Sequence, residues 1–326
     1  MRALLCRNLG TPKDLAYVAD APVPRPGAGE VLIKVRATGI NYADVVMIKG
    51  QYQTKPPLPF APGLECAGEV AELGPDVAGL AVGDAVLAKL AYGGLAEFAL
   101  APAFETYRKP PAMPWDVAAS FYVAYVSSHV ALRWQARLMP GERLLVLGAG
   151  GGTGLTAVEL GKAMGAVVYA AASSADKLSL ARSRGADHVV DYSAAALNEQ
   201  INRMTDDDGV NVVFDPVGGD LFDPALSSLG WGGRYLLFGF VGGIPQIPAN
   251  RLLVKHRSAM GSSLRYFQDR ARDQLRQSVE ELFALWSAGR LKPHVSRCFP
   301  LEHGAQAILE LAERRATGRV VVEVAS

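Results

Sequence analysis

The sequence predicts an α/β chain in two parts, one mostly β and one a doubly wound parallel sheet, and three observations carry that prediction. Up to about Pro114, short β-branched runs are cut by Gly and Pro. From about Arg143, strand and helix patterns alternate. One of those strands runs through a glycine-rich turn directly into a helix. At 326 residues, half of them hydrophobic, the chain is long enough to give each part a buried core.

Residues 31–37 and 68–74 carry the partly alternating, β-branched pattern of half-buried strands. Near Trp115 the character changes. Residues 116–133 are rich in Ala, Val and Ser behind an acidic helix start at Asp116, and a strand at 143–147 follows Pro140 and Gly141. Helices are predicted at 153–164 and 175–184, and strands at 167–171, 188–190, 210–215 and 235–240. Beyond Gly261, a long amphipathic helix at 270–287 and a final β segment at 318–324 are expected to return to the first part.

Composition narrows the function classes. The 33 Lys and Arg against 32 Asp and Glu leave a formal charge of +1, so no global field draws the chain to nucleic acid or an anionic membrane. The first residues hold too short an apolar run for a secretory signal, and no later run has the length of a membrane span, which points to a cytoplasmic protein. Cys6, Cys66 and Cys298 are scattered and odd in number, as expected of small core residues rather than a disulfide framework or a Cys-rich metal site.

The strand at 144–147 enters Gly148-Ala149-Gly150-Gly151-Gly152-Thr153-Gly154, and a helix opens behind it. Gly151 and Gly154 fit the second and third glycines of the dinucleotide fingerprint, with Ala149 in place of the first. One lets backbone approach a pyrophosphate; the other lets the helix pack on the strand. Backbone N–H groups at the helix start, around Gly152 and Thr153, can hold phosphate oxygens without a Lys. A tight strand-to-helix turn would use the same glycines, but the surrounding βαβ pattern favours a nucleotide. NAD sites place an Asp or Glu some 20 residues further on for the ribose hydroxyls. Nineteen residues after Gly154 stands Ser173, followed by Ser174, with Lys177 close by. Small hydroxyls and a cation can bind and neutralise a 2′-phosphate, so NADPH is the expected cofactor, with a solvated helix charge as the alternative for Lys177.

The run 148–154, followed by Glu159-Leu160-Gly161-Lys162-Ala163-Met164-Gly165-Ala166, resembles the nucleotide-binding core of the zinc-free medium-chain dehydrogenases and reductases. Thr38-Gly39-Ile40-Asn41-Tyr42-Ala43-Asp44, Pro62-Gly63-Leu64-Glu65-Cys66-Ala67-Gly68-Glu69-Val70, Gly185-Ala186-Asp187-His188 and Phe214-Asp215-Pro216-Val217-Gly218-Gly219 fall in the order and spacing of the NADPH:quinone oxidoreductase (zeta-crystallin-like) family. The match spans nearly the whole chain. It implies a GroES-like, mostly β catalytic domain over residues 1–120 and 262–326, a Rossmann NADPH-binding domain over residues 121–261, an active-site cleft at their seam, and a homodimer. Zinc-dependent relatives carry Cys where this chain has Asn41 and His where it has Leu64, and their run of structural Cys has no counterpart, so the resemblance implies no metal. Without that Lewis acid, hydride delivery to a small electron-poor acceptor, a quinone or a conjugated enone, is the expected chemistry.

By the same resemblance Asn41 and Asp44 lie beside the nicotinamide ribose and, with Tyr52, are the candidate catalytic residues. Tyr52 resembles the proton-donating Tyr of related enoyl-thioester reductases, with an aromatic lining role as its alternative. Ser127 takes the place of a Thr near the cofactor, Lys177 and Tyr192 face the adenosine phosphate, and Val217 joins the cofactor set. Phe238, Gly239 and Phe240 offer backbone groups to the carboxamide, and Arg315 resembles a basic residue near the phosphate half. The alternatives are that Asn41 and Asp44 merely shape a turn or cap a helix, against which the family context favours function, that Tyr192 is a half-buried strand residue, and that Phe238 is core. Tyr122, Val126 and His129 depart from the family's Pro, Gly and Tyr, so the helix leading to the cofactor is expected to be locally altered. His129 itself reads as a satisfied or partly exposed histidine.

Two other readings stay open. Reduction of a carbon–carbon double bond in an enal, enone or enoyl thioester uses the same hydride logic. A CoA substrate would favour a basic entrance, for which Arg251, Lys255, His256, Arg257 and Arg265 are the candidates. A structural or sensing protein that binds NADPH without turnover would show tight binding and no cofactor oxidation.

Overall fold

The computed structural model describes residues 1–324. The chain divides into two compact units, residues 1–123 together with 293 onward, and residues 124–292. Among the described residues no helix is long and apolar enough to cross a membrane.

The first unit is built on a mixed seven-stranded sheet. The long strand Glu30–Ile40 is its centre, buried along almost its whole length, and pairs antiparallel with Glu65–Leu73, Phe98–Pro102 and Arg319–Glu323. Ala85–Lys89 and Thr106–Arg108 extend one side, and Val295–Pro300 runs parallel to Arg319–Glu323 on the other. β-Branched residues dominate the inward positions, with Val31, Ile33, Val35, Val70, Val86, Val320 and Val322 in one core together with Leu4, Phe60 and Leu95. Cys6 and Cys66 lie in that core, and Cys298 is exposed.

The second unit is doubly wound. Its strands β1 (Arg143–Leu147), β2 (Val167–Ala172), β3 (His188–Asp191), β4 (Val210–Asp215), β5 (Leu229–Leu237) and β6 (Ser258–Gly261) are all parallel and lie in the order 3-2-1-4-5-6. That order reverses direction at β1, which opens a crevice outside the carboxyl ends of the strands. Helices α1 (Gly152–Ala163), α2 (Ala175–Ser183) and α3 (Leu197–Met204) make the crossovers on the β1–β3 side.

Three expectations shift. The strand predicted at 235–240 ends at Leu237: Phe238 N makes the last ladder bond, to the Asp215 carbonyl at 2.9 Å, and Gly239 N turns back onto the same carbonyl at 3.2 Å as the chain leaves the ladder. The single helix predicted at 116–133 is a short helix, Trp115–Ala119, followed by two wider i→i+5 stretches, Tyr122–Val126 and Val130–Gln135, on either side of Ser127–His129. The altered residues Tyr122 and Val126 bound the first wide stretch, a form that clusters at functional sites, and His129 ends the α-helical turn between the two. The long helix predicted at 270–287 runs from Arg272 to Ser287 and belongs to the second unit, so the chain re-enters the first unit at 293 rather than 262. Leu275, Ser278, Val279 and Leu282 form its buried face, Ser278 Oγ accepts from Trp134 Nε1 at 2.9 Å, and Glu281 meets His129 Nε2 at 3.2 Å. His129 is buried, and that desolvation depresses its imidazole to about 4.

Candidate active site

In the second unit the glycine-rich turn joins β1 to α1. Gly148 has a φ of +58°, Ala149 N donates to the Ala171 carbonyl at 3.0 Å, and Gly151, in extended conformation, caps the helix. A Cβ added at Gly154 would lie 2.2 Å from the Gly148 oxygen, so the helix packs directly against the turn. A Cβ added at Gly150 would lie 2.5 Å from Lys177 Cβ, which shows that the Lys177 stem rests on the turn although its helix, α2, follows the next strand. The unbonded N–H groups of the first turn of α1 and the Lys177 cation therefore share one end of the sheet.

The parallel register gathers the remaining candidates there. Ala172 pairs with Asp191, and Tyr192 N donates to the Ala172 carbonyl at 3.3 Å, so Tyr192 and Ser173 leave adjacent strands together, with Ser174 capping α2. Ser173 is exposed, and Ser174, Lys177 and Tyr192 are half-buried. Asp191, the nearest acid on β3, accepts from Ser193 N and Oγ at 2.9 and 2.6 Å, and those bonds hold its carboxyl below the usual range. Val217 borders the turn, its Cγ2 3.0 Å from a Cβ placed on Gly148. Phe238 packs on Phe214 with ring centroids 4.7 Å apart, Gly239 follows, and Phe240 is exposed. Ser127 is nearly buried beside the Ser128–Thr156 hydroxyl pair, which are 2.8 Å apart.

Asp215, at the end of β4, organises the turn that follows it. The buried carboxylate accepts from Val217 N, Gly218 N and Tyr235 Oη at 2.7, 2.8 and 2.7 Å, fixing the turn that carries Val217. Burial pushes this carboxyl up while the three donors oppose the shift.

In the first unit the candidates form a different kind of cluster. Asp44 is fully buried: one oxygen accepts from Asn41 N at 2.8 Å and the other from Gly63 N at 2.9 Å. It shapes the start of the helix Tyr42–Ile48, and burial leaves its carboxylate no surface for a ligand. Asn41 is bonded to two residues that sequence reasoning passed over, Glu65 and Arg319. Its Nδ2 donates to Glu65 Oε1 at 2.9 Å and its Oδ1 accepts from Arg319 Nη2 at 3.0 Å. Arg319 also pairs with Glu65 and donates from Nε to the Ser120 carbonyl at 3.0 Å, and Glu65 Oε2 accepts from Val123 N at 2.8 Å. Burial pushes the Glu65 carboxyl up, and the Arg319 charge pulls it back. A lone Arg heading the apolar run Val320-Val321-Val322 was the available signal. Tyr52 is half-buried and packs on the unit's core, while Arg315 is exposed and its guanidinium is engaged by Glu310, at 2.9 Å, and by Glu313. Leu64 is core, and burial pushes the Cys66 thiol up.

Burial, opposed by the two backbone donors, pushes Asp44 up to about 6 from 3.8. The folded chain thus binds this proton more tightly than the unfolded chain, so Asp44's contribution to stability grows as pH falls through 6 towards 4 and is absent well above 6. Asp44→Asn has no proton to gain, and from pH 7.5 to pH 5 it should lose roughly 1–1.5 kcal/mol relative to wild type. Urea midpoints of both proteins at both pH values measure this, and a constant difference would refute it.

Two family models match the chain, an alcohol dehydrogenase GroES-like domain over residues 27–111 and a zinc-binding dehydrogenase over residues 152–284. Quinone oxidoreductase-like protein 2 of Mus musculus is 37% identical over 325 residues, covering 99% of this chain and 92% of that protein. Among solved structures, a mycobacterial protein complexed with NADPH superposes with a TM-score of 0.93 at 32% identity, covering 99% of this chain and 100% of that one. Escherichia coli quinone oxidoreductase complexed with NADPH superposes with a TM-score of 0.92 at 28% identity, with 99% and 100% coverage. A GroES-like unit, a Rossmann unit and full-length similarity to these proteins together make the chain an oxidoreductase of the medium-chain dehydrogenase/reductase superfamily, in its quinone oxidoreductase branch.

Proposed function

We propose that this protein is a zinc-independent, NADPH-dependent reductase of quinones or similar electron-poor acceptors. The observation that carries the reading is the Lys177 stem resting on Gly150, which puts a cation beside the phosphate-binding turn with Ser173, rather than an acid, at the ribose position. The glycine turn fits a pyrophosphate by the N–H groups of the first turn of α1, which the close packing of Gly154 holds against the turn, and by the open surroundings of Gly151, while Ser173, Ser174, Lys177 and Tyr192 fit a 2′-phosphate by their shared position at the strand ends. When bound, NADPH supplies the hydride. The protein's part is to hold the reactants in line and exclude water. Ala149, Gly151, Gly152 and Thr153 would bear on the pyrophosphate, and Val217, Phe238, Gly239, Phe240 and Ser127 on the nicotinamide side. Arg315 would turn to a phosphate only by leaving Glu310 and Glu313. The Tyr52 hydroxyl would give a proton to the acceptor oxygen as hydride arrives at the other end of the conjugated system, and solvent would restore it.

Amide and aliphatic side chains at positions 41 and 64 support the zinc-independent reading, since neither Asn41 nor Leu64 supplies a thiolate or an imidazole. Three of the five basic residues proposed for a CoA entrance are already committed. Arg251 is held by Asp223 and Ser227, Arg257 by the Ser227 and Leu229 carbonyls, and Arg265 by Asp269, which favours a small acceptor over an acyl thioester. A homodimer fits the open edge of β6 and the exposed Ile244, Leu253 and Val254 of the same unit.

The test follows oxidation of NADPH and NADH at the nicotinamide absorbance against quinones, enones, enals and crotonyl-CoA in chelator-treated buffer, with the oligomeric state of the same sample read by sedimentation. Chelator-resistant turnover of NADPH well above NADH is expected, fastest with a quinone, and Tyr52→Phe should lower kcat about 10–100-fold. NADH preference, loss of turnover with chelator, or NADPH binding with no turnover at all would each overturn part of the reading.

A further inference from the structure

An amide that contacts a ligand presents a donor on one side and an acceptor on the other, and exchanging them reverses what it recognises. At Asn41 that choice is made by the protein. Nδ2 donates to Glu65 Oε1 at 2.9 Å and to the Gly39 carbonyl at 3.3 Å, which uses both of its hydrogens, while Oδ1 accepts from Arg319 Nη2 at 3.0 Å. A carboxylate can only accept and a guanidinium can only donate, so Glu65 and Arg319 fix which end of the amide is which. Both partners are themselves held: Glu65 by Val123 N at 2.8 Å, and Arg319 by the Ser120 carbonyl at 3.0 Å. The pair is almost wholly buried, with side chains 1% and 6% exposed. A buried ion pair adds little stability over an apolar pair of the same size, so stability alone gives weak reason to build one around a single amide.

We propose that Glu65 and Arg319 are positioning residues that lock the Asn41 amide, leaving the second lone pair of Oδ1 as the one hydrogen-bonding site it offers a bound molecule. The group it takes is then a donor, a hydroxyl or an amide N–H, and not a carbonyl or phosphate oxygen. A ribose hydroxyl on the nicotinamide side of NADPH has that chemistry. The inference rests on the proposed use of NADPH and on the place beside the nicotinamide ribose that the family resemblance gives Asn41.

A double-mutant cycle tests it, with Asn41→Ala, Arg319→Met and the double variant compared with wild type for NADPH Kd, by nucleotide fluorescence, and for kcat. Each single change should weaken NADPH by ~10-fold, about the worth of one hydrogen bond, and the double variant should be no more than ~2-fold weaker than Asn41→Ala, because Arg319 acts through Asn41. Arg319→Lys, which keeps a charged donor, should recover most of the affinity. Effects that multiply to ~100-fold in the double variant, or an Arg319→Met protein that binds NADPH as wild type does, would overturn the proposal. Should Arg319→Met fail to fold, the paired Glu65→Met, Arg319→Met protein, which strands no buried charge and frees both ends of the amide, takes its place in the cycle with the same expectations. An unaffected Asn41→Ala protein beside an active wild type overturns this inference and leaves the reductase reading standing. A wild type that binds NADPH without oxidising it removes the reductase reading, and the Kd cycle still decides the role of the pair.

Discussion

Gly154→Ala is expected to abolish NADPH oxidation, to weaken nucleotide binding by more than about 100-fold, and to lower stability by about 2–3 kcal/mol. The added methyl would sit 2.2 Å from the Gly148 oxygen, 2.7 Å from its carbonyl carbon and 2.9 Å from Ala149 Cα. All three are backbone atoms of the turn, so no side chain can swing aside; either α1 lifts or the turn opens. Either movement spoils the N–H groups proposed to hold the pyrophosphate. Gly151→Ala is the matched control, because its methyl would meet only the Gly148 oxygen, at an ordinary 3.4 Å. That protein should melt like wild type. Thermal unfolding and NADPH titration of the two variants separate packing from binding, and a Gly154→Ala protein with wild-type Tm and affinity would show that the turn is not built as described.

Glu65→Ala should cost about 3–5 kcal/mol, because it strands the Arg319 guanidinium in the core of the first unit without its counter-ion. The pair is nearly solvent-free, so screening by water gives no discount. The change also removes the acceptor of Val123 N and of Asn41 Nδ2. The paired replacement Glu65→Met with Arg319→Met should recover a large part of that loss, since an apolar pair leaves no buried charge. Urea unfolding of the three proteins reads both effects. A Glu65→Ala midpoint equal to wild type would mean that the pair is solvated.

The second unit was largely legible in the sequence because its signals are local. Alternating strand and helix periods and a turn whose glycines stand between a strand and a helix fix the sheet class and the phosphate end without distant partners. The parallel register then brings Ser173 and Lys177, which the spacing pointed to, to the same end as Tyr192 and Val217, which only the family resemblance implied. Where boundaries were missed, a tertiary contact decided them: Gly239 N folds back onto the Asp215 carbonyl at the end of β5, and Trp134 and His129 hold Arg272–Ser287 in the second unit. The chemistry of the first unit was harder to read. Asn41 and Asp44 were visible as a polar pair, but Glu65 lies 24 positions from Asn41 and Arg319 lies 278 away, and no local pattern links an amide to a guanidinium at that range. Asp44 reads in sequence as a ligand-binding acid, and only burial shows that its oxygens serve the backbone.

The first unit is discontinuous in the chain, and that shapes its order of assembly on the ribosome. Residues 124–292 are contiguous and can condense as soon as they emerge. The first unit cannot be completed then, because the edge partner of Glu30–Ile40, the strand Arg319–Glu323, is made last. Until Arg319 leaves the exit tunnel, Glu65 lacks its guanidinium partner, and the central strand, already paired with Glu65–Leu73 and Phe98–Pro102, keeps its Ala37–Ile40 end as an edge open to other chains. A truncation before Arg319 would therefore leave a folded nucleotide-binding unit attached to an aggregation-prone amino-terminal segment.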